Sequence, residues 1–134
     1  TRIYFFDFIA DFPKPSIRIS ISSPSLNIDN SNVAYFGTII IDDVKIYDNN
    51  SDFAIEMIEV DANINNLIIN GQNNGLSWSA KGITSSSILD SEISGYDENC
   101  FFIANHEELI VSTTTLKCNN VQPVFSNSMI NFTN

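Results

Sequence analysis

Two aspartates, Asp43 and Asp90, carry the side chains that glycoside hydrolysis requires. That reaction needs two carboxyl groups at a fixed separation, one of which is protonated and serves the leaving group. Asp42 is adjacent to Asp43, but neighbours in a strand point to opposite faces, so only one of them can line a given cleft. Asp43 and Asp90 are therefore the candidate catalytic pair.

Metal binding has a weaker basis in this sequence. Asp97 and Glu98, followed by Asn99, place hard oxygen ligands side by side, which suits Ca²⁺. Neither an EF-hand loop nor the glycine-rich calcium repeat is present. The single histidine, His106, cannot build a multi-histidine site or a Ser-His-Asp arrangement, and we interpret it as a surface turn residue. We expect no cofactor, with calcium at Asp97 and Glu98 as the alternative.

The two cysteines, Cys100 and Cys118, could form one disulfide bond. A tight turn would bring their Cα atoms within the roughly 4.4–6.8 Å that a bridge requires. Cys100 could equally be a buried thiol at the position equivalent to Leu76. Asn49 and Asn131 each begin a glycosylation acceptor pattern, Asn49-Asn50-Ser51 and Asn131-Phe132-Thr133. These features, with the acidity and the low lysine content, favour an extracellular or cell-surface location.

The composition excludes several classes of protein. Sixteen acidic residues against six basic ones give the 134-residue chain a net charge of −10, which repels nucleic-acid phosphates. Ile is the commonest residue, Ala and Leu are few, and Asn and Ser are abundant, which is typical of strands joined by polar turns. No apolar run approaches the roughly 18 residues of a membrane span. We therefore expect an all-β protein that neither binds nucleic acid nor inserts this segment into a membrane.

A repeat of about 23 residues positions the candidate side chains. Asp43 falls in register with Asn66, Asp90 and Thr113, so that the two aspartates lie two coils, or about 9–10 Å, apart. That spacing is compatible with an inverting pair of carboxylates. Apolar residues recur at the same steps of 23, 24 and 23 and form three predicted ladders: Ile41, Ile64, Ile88 and Val111; Ile46, Ile69, Ile93 and Leu116; and Ile55, Trp78, Phe102 and Phe125.

Within each repeat, apolar and polar residues alternate, as in residues 76–80, which indicates strands with one buried face. Three short strands in 23 residues leave no room for a helix. The economical solution is a solenoid in which each strand pairs, in parallel, with its equivalent one coil later. In that arrangement we expect Trp78 to be buried between Ile55 and Phe102.

The repeat also divides the chain. Residues 1–16 are predicted to be an N-terminal strand with a cap or preceding coil, because the aromatic stretch 5–12 and the following prolines depart from the pattern. Residues 17–134 are predicted to be coils of a longer solenoid. Terminal coils expose open strand edges, so Ile130 and Phe132 should contact further coils of the same chain or a second copy stacked end to end.

The repeat period and the stretches "NINNLIINGQNNGLSWSA" and "SSSILDSEISGYDENCFFIA" resemble the right-handed parallel β-helix, or pectin-lyase-like, superfamily. The resemblance implies a right-handed parallel β-helix fold. Its members include polysaccharide lyases and hydrolases, tailspikes, adhesins and surface repeat proteins. The Gly-His-Gly and basic-triplet signatures of its polygalacturonases are absent. We therefore expect a non-catalytic structural or adhesive segment of a secreted, cell-surface or filament-forming protein, whose partners include glycans or a surface receptor. The alternative is a carbohydrate-active enzyme or carbohydrate-binding module that uses Asp43 and Asp90.

Overall fold

The computed structural model describes residues 2–4, 17–19, 26–29, 38–47, 53–70, 74–82, 84–95, 100–118 and 123–134. These residues form sixteen strands and no helix. The strands are β1 (Arg2–Tyr4), β2 (Ile17–Ile19), β3 (Leu26–Asp29), β4 (Thr38–Asp42), β5 (Lys45–Tyr47), β6 (Phe53–Ile58), β7 (Asp61–Asn65), β8 (Ile68–Asn70), β9 (Asn74–Ser79), β10 (Ser86–Leu89), β11 (Glu92–Gly95), β12 (Phe101–Ala104), β13 (Leu109–Ser112), β14 (Thr115–Cys118), β15 (Val124–Ser126) and β16 (Ile130–Thr133).

The strands stack into three parallel sheets, which confirms the predicted all-β solenoid with coils about 23 residues apart. Sheet A has the order β1-β3-β6-β9-β12-β15, sheet B the order β16-β13-β10-β7-β4-β2, and sheet C the order β14-β11-β8-β5. From β3 onward the chain visits A, B and C in turn, so that each strand pairs with its equivalent in the next coil. The right-handed sense of winding stays a prediction.

Sheets B and C keep the spacing read from the sequence. In sheet B, Ile64 pairs with Ile41 on one side and with Ile88 on the other, and Ile88 pairs with Val111. In sheet C the corresponding register joins Ile46, Ile69, Ile93 and Leu116. Most of these side chains are fully buried because alternate residues of each strand point into the solenoid.

Sheet A has a different register from the predicted one. Trp78 is fully buried, but it pairs with Met57 and Ile103 rather than with Ile55 and Phe102. Ile55 pairs with Leu76, and Leu76 pairs with Phe101.

The remainder of the predicted third ladder is also corrected. Phe125 pairs with Ile103, whereas Phe102 is half-buried on the outer face beside Ser77. Alternation fixes only whether a residue points inward or outward, so a shift of two residues keeps Trp78 inside, and a shift of one turns Phe102 outward. The shifts arise because the connections from sheet C to sheet A differ in length from coil to coil.

The N-terminal stretch contributes strands to the same sheets. β1 pairs in parallel with β3 in sheet A, and β2 pairs with β4 in sheet B. The aromatic stretch predicted as a cap, residues 5–12, lies outside the described residues. Among the described residues, no helix is long and apolar enough to cross a membrane.

Candidate functional site

The corner between sheets B and C holds the predicted catalytic pair. Two residues make this connection in each of four coils, and the first of the two has a positive φ: 55° at Asp43, 51° at Asn66, 47° at Asp90 and 46° at Thr113. Asn and Asp tolerate this left-handed conformation because their short polar side chains bond locally, whereas a β-branched residue such as Thr113 is an outlier there. Backbone geometry therefore selects polar residues at this column.

The aspartates of this column act as hydrogen-bond acceptors along the solenoid axis. Asn66 Nδ2 donates to Asp43 Oδ1, and Thr113 Oγ1 donates to Asp90 Oδ1, both at a distance of 2.5 Å. Asn66 stands between the two aspartates in the stack, and both carboxylates are exposed. Neither lies in an apolar pocket of the kind that holds a general acid in its protonated form. The structure thus places Asp43 and Asp90 in one exposed column, and their catalytic role stays a prediction.

A second group of polar side chains lies where sheet A turns into sheet B, and sequence reasoning missed it. Asp61, the first residue of β7, is only 3% exposed. Its Oδ1 accepts a hydrogen bond from Gly82 N at 2.9 Å, and its Oδ2 accepts bonds from Thr84 N at 3.0 Å and Thr84 Oγ1 at 3.3 Å. Asp61 therefore fastens the connection of the following coil across its own corner.

His106 is buried at the same corner, which corrects its prediction as a surface turn residue. It is 3% exposed, and its ring lies perpendicular to Trp78 with the ring centroids 4.4 Å apart. Neither Nδ1 nor Nε2 has a hydrogen-bond partner among the described residues. Burial lowers the pKa of His106 to about 4, although the negative charge of Asp61 and the backbone of Trp78 both act in the opposite direction. At neutral pH the ring is therefore uncharged.

The backbone around His106 connects two coils. His106 N donates to Ser128 Oγ at 3.1 Å, and Met129 N donates to the His106 carbonyl at 3.2 Å. Trp78 Nε1 donates to the Val60 carbonyl at 2.6 Å, which fixes the indole that the histidine packs against. These contacts make the corner a structural cluster, with no open face for a substrate at the two ring nitrogens.

An ion pair lies beside this cluster. Lys81 Nζ lies 2.5 Å from Glu59 Oε2. The lysine side chain is 19% exposed and the glutamate side chain is 43% exposed. Glu59 has a positive φ of 54° and occupies the two-residue connection between β6 and β7. Glu107, in the connection that follows β12, is exposed.

The third corner, between sheets C and A, contains a disulfide bond between Cys100 and Cys118, whose Cα atoms are 5.5 Å apart. Cys118 pairs in register with Gly95, so the bond joins successive coils. Backbone packs closely here: a Cβ at Gly75 would lie 2.3 Å from the Cys100 carbonyl oxygen, and one at Gly95 would lie 2.8 Å from Cys100 Cα. The two glycines thus make room for the bridge.

The structure describes only some of the predicted calcium ligands and glycosylation acceptors. Asp97 and Glu98, the calcium candidates, lie outside the described residues, as does the acceptor Asn49. Asn131 lies in β16, is exposed, and donates from Nδ2 to Glu108 Oε1 at 3.0 Å. In the part of the chain that the structure describes, no three His, Cys, Asp or Glu side chains are grouped closely enough to hold a metal ion.

One end of the solenoid is apolar and open. Met129 and Phe132 are 62% and 61% exposed, and Phe125 is 43% exposed. Phe125 packs edge-on against both Phe101 and Phe132, with ring centroids 5.9 and 6.2 Å apart. Beside them, Val111, Thr113–Thr115 and Phe132–Asn134 line a cleft of about 490 Å³. The inward ladders thus reach this end without a covering layer.

The missed residues left only a faint signal in the sequence. Alternation in β7 directs Ala62 and Ile64 inward, so Asp61 is expected to face solvent. Asp61 is buried because the connection after β9 is longer than the connection after β6. Gly82 and Thr84 of the longer connection lie against the Asp61 carboxylate. The length difference is visible in the sequence, but the covering it produces is not.

No protein-family model, no curated protein and no solved structure matches this chain.

Proposed function

We propose that this chain is a non-catalytic structural or adhesive β-solenoid segment of a secreted, cell-surface or filament-forming protein. The observation that carries the proposal is the direction of the polar contacts on its outer faces. These side chains bond to the equivalent position one coil away rather than converging on a pocket. A surface organised in this way stiffens a rod and displays repeated side chains.

The contacts run along the axis in all the described coils. Asn65 Nδ2 donates to Asp42 Oδ1 at 3.0 Å, and Ser87 Oγ bonds to Asn63 Oδ1 at the same distance. Lys117 pairs with Glu92 across a separation of 25 residues. Each such exposed contact contributes little by itself, commonly below about 1 kcal/mol. Their common direction matches the parallel backbone ladder and leaves no set of side chains convergent on one substrate.

The disulfide bond supports the extracellular part of the proposal. Structural disulfides persist in oxidising compartments and are rare in reducing ones. Cys100 and Cys118 join successive coils at a corner where the backbone packs closely. A covalent staple of this kind suits a rod that works outside the cell. Exposed Asn131 is the described site at which we propose a glycan.

We propose that further solenoid coils cover the open apolar end, supplied by the same parent chain or by a second copy stacked head to tail. Among the residues whose exposure the structure describes, the exposed large apolar side chains lie in β15, β16 and the short connection between them. Phe125 and Phe132 continue the inward ladders of sheets A and B, respectively. A head-to-tail contact of this type uses two different surfaces and therefore grows without closing.

Sedimentation of the chain over a range of concentrations tests the stacking. We expect association that rises with concentration, and we expect Phe132→Asp to abolish it because the charge would enter the continued ladder. Asn70→Asp, which adds the same charge at an exposed position of β8 away from this end, is the matched control and should associate as the unsubstituted chain does. If the 134-residue chain remains a stable monomer at every concentration, this end needs no covering coil and the proposal is wrong.

A screen for cleavage of pectins, alginates and chondroitin-type polymers tests the non-catalytic part of the proposal. Asp43→Asn and Asp90→Asn are the informative variants, because each keeps the one oxygen that accepts the ladder bond and removes the carboxylate. We expect no turnover by any form. Turnover that disappears in Asp90→Asn, with the fold intact, would replace the proposal with the carbohydrate-active alternative.

A further inference from the structure

The corner between sheets A and B buries a titratable ring without satisfying it. Both nitrogens of His106 are buried and lack hydrogen-bond partners among the described residues. Buried polar groups are normally paired, and an unpaired one is costly. A neutral imidazole tolerates this position because one face packs against Trp78. A charged imidazolium, with two N–H donors, does not.

The groups around His106 offset that charge only in part, because burial keeps the pKa of His106 below its ordinary value despite Asp61 and the Trp78 backbone. Asp61 is the carboxylate whose charge acts on the ring, and both of its oxygens already bond to the connection that contains Gly82 and Thr84. The other charged groups that the described residues place at this corner are the Glu59–Lys81 ion pair, exposed Glu107, and Glu108, whose carboxylate accepts hydrogen bonds from Ser85 and Asn131.

The described residues of the next coil contribute no charged side chain to this corner. The groups they supply are the hydroxyl of Ser128, the amide of Met129 and the side chain of Asn127. A proton on His106 therefore favours movement of the ring toward Asp61 or out to water, and we expect either movement to open the corner.

We propose that the His106 corner is an acid-sensitive latch, in which protonation of His106 opens the turn between sheets A and B and releases β16 from the coil below. The latch acts on β16 because His106 lies at the junction. Its backbone N–H and carbonyl hold Ser128 and Met129, the residues that lead into β16. The inference is independent of the proposed structural role, since it concerns the stability of one corner at low pH.

The pH dependence of the equilibrium between the open and the closed corner follows from the difference in the pKa of His106 between the two forms. The pKa of His106 is about 4 in the closed corner, against an ordinary value of 6.5 when the ring is exposed. The open form therefore binds the proton more tightly, and the closed form loses stability as the pH falls from about 6.5 to about 4. Between pH 7 and pH 5 the ratio of open to closed corners should rise roughly 20-fold.

Hydrogen exchange of the Met129 amide measures this ratio directly. After correction for the intrinsic exchange rate, its protection should fall roughly 20-fold between pH 7 and pH 5. The Glu92 amide, which bonds to the Leu67 carbonyl at the corner between sheets B and C, is the internal control and should keep its protection. Equal loss at Glu92 would mean global unfolding, and unchanged protection at Met129 would mean that no latch exists; either result overturns the proposal.

His106→Phe removes the titratable group and keeps a ring against Trp78. Its Met129 protection should not change between pH 7 and pH 5. Glu107→Gln, at the neighbouring exposed carboxylate, is the matched control and should behave as the parent. If His106→Phe does not fold, His106→Leu provides a smaller apolar replacement. A variant without the histidine that retains the full pH dependence would refute the latch.

Trp78 gives a second readout, because it is the one tryptophan of the chain. A protonated imidazole moving at 4.4 Å from the indole, or leaving it, should change the fluorescence of Trp78. We expect the change between pH 6.5 and pH 4 in the parent and in Glu107→Gln. Its persistence in His106→Phe or His106→Leu would count against the proposal.

Discussion

Two corners of the solenoid make similar turns in different ways. Between sheets B and C, every described coil uses two residues: 43–44, 66–67, 90–91 and 113–114. Between sheets A and B the connections are 59–60, 80–85, 105–108 and 127–129. The uniform corner keeps its polar column exposed and bonded along the axis. The variable corner buries Asp61 and His106.

The difference teaches where polar groups become buried in a repeat protein. A corner of constant length stacks on its own copies, so its first residues form one polar column at the surface, while its second residues Val44, Leu67 and Ser91 are buried. A corner whose length changes places extra chain over the coil below, and that chain covers whatever lies beneath it. Functional side chains in a solenoid should therefore be sought where the coil length changes.

The largest expected effect is at the variable corner. Trp78→Ala should destabilise the protein by about 3–5 kcal/mol, because it leaves a cavity in the core and removes the bond to the Val60 carbonyl. Urea unfolding measures the loss. Phe102→Ala, in the neighbouring strand but on the outer face, should cost much less. Equal losses would contradict the register described for sheet A.

The disulfide bond is the next strongest element. Replacing Cys100 and Cys118 together with Ser should cost about 3 kcal/mol, because the bond closes a loop with a sequence separation of 18 in the unfolded chain. Denaturant midpoints of the parent chain, with and without reductant, provide the matching measurement. Thiols that react with an alkylating agent without prior reduction would show that the bond does not form.

A third prediction compares the same substitution at both corners. Asp61→Asn should cost about 2 kcal/mol, because both carboxylate oxygens face backbone donors and one becomes an NH₂ group. Asp43→Asn should change stability by less than about 0.5 kcal/mol, because one oxygen accepts the hydrogen bond from Asn66 and the amide retains that oxygen. Paired denaturation curves decide the matter, and similar costs would remove the distinction between the corners.

The smallest effect is a gain in stability. Thr113→Asn should stabilise the protein by about 0.5–1 kcal/mol, because a β-branched residue is strained at a φ of 46° and Asn is at ease there. The amide can also donate to Asp90 Oδ1, as Asn66 does to Asp43. Thermal unfolding monitors the change. A loss of stability would mean that the hydroxyl contacts of Thr113 outweigh its backbone strain.

The sequence alone was enough to predict the parallel solenoid and the coil length. Two features made this possible: the period of about 23 residues and the strict alternation within strands. The registers of sheets B and C, through Ile64 and Ile69, follow the same spacing because constant two-residue corners separate them. The column of Asp43 and Asp90 was also placed in register from spacing, although its catalytic interpretation stays a prediction.

Only the tertiary structure decided the register of sheet A and the burial of Asp61 and His106. Alternation predicts which face of the sheet a residue occupies but not how many residues a turn contains. The prediction for Trp78 therefore has the correct face and the wrong neighbours. Burial of a polar side chain depends on which distant segment folds over it. That segment, residues 80–85 above Asp61, is one coil away in sequence and directly adjacent in space.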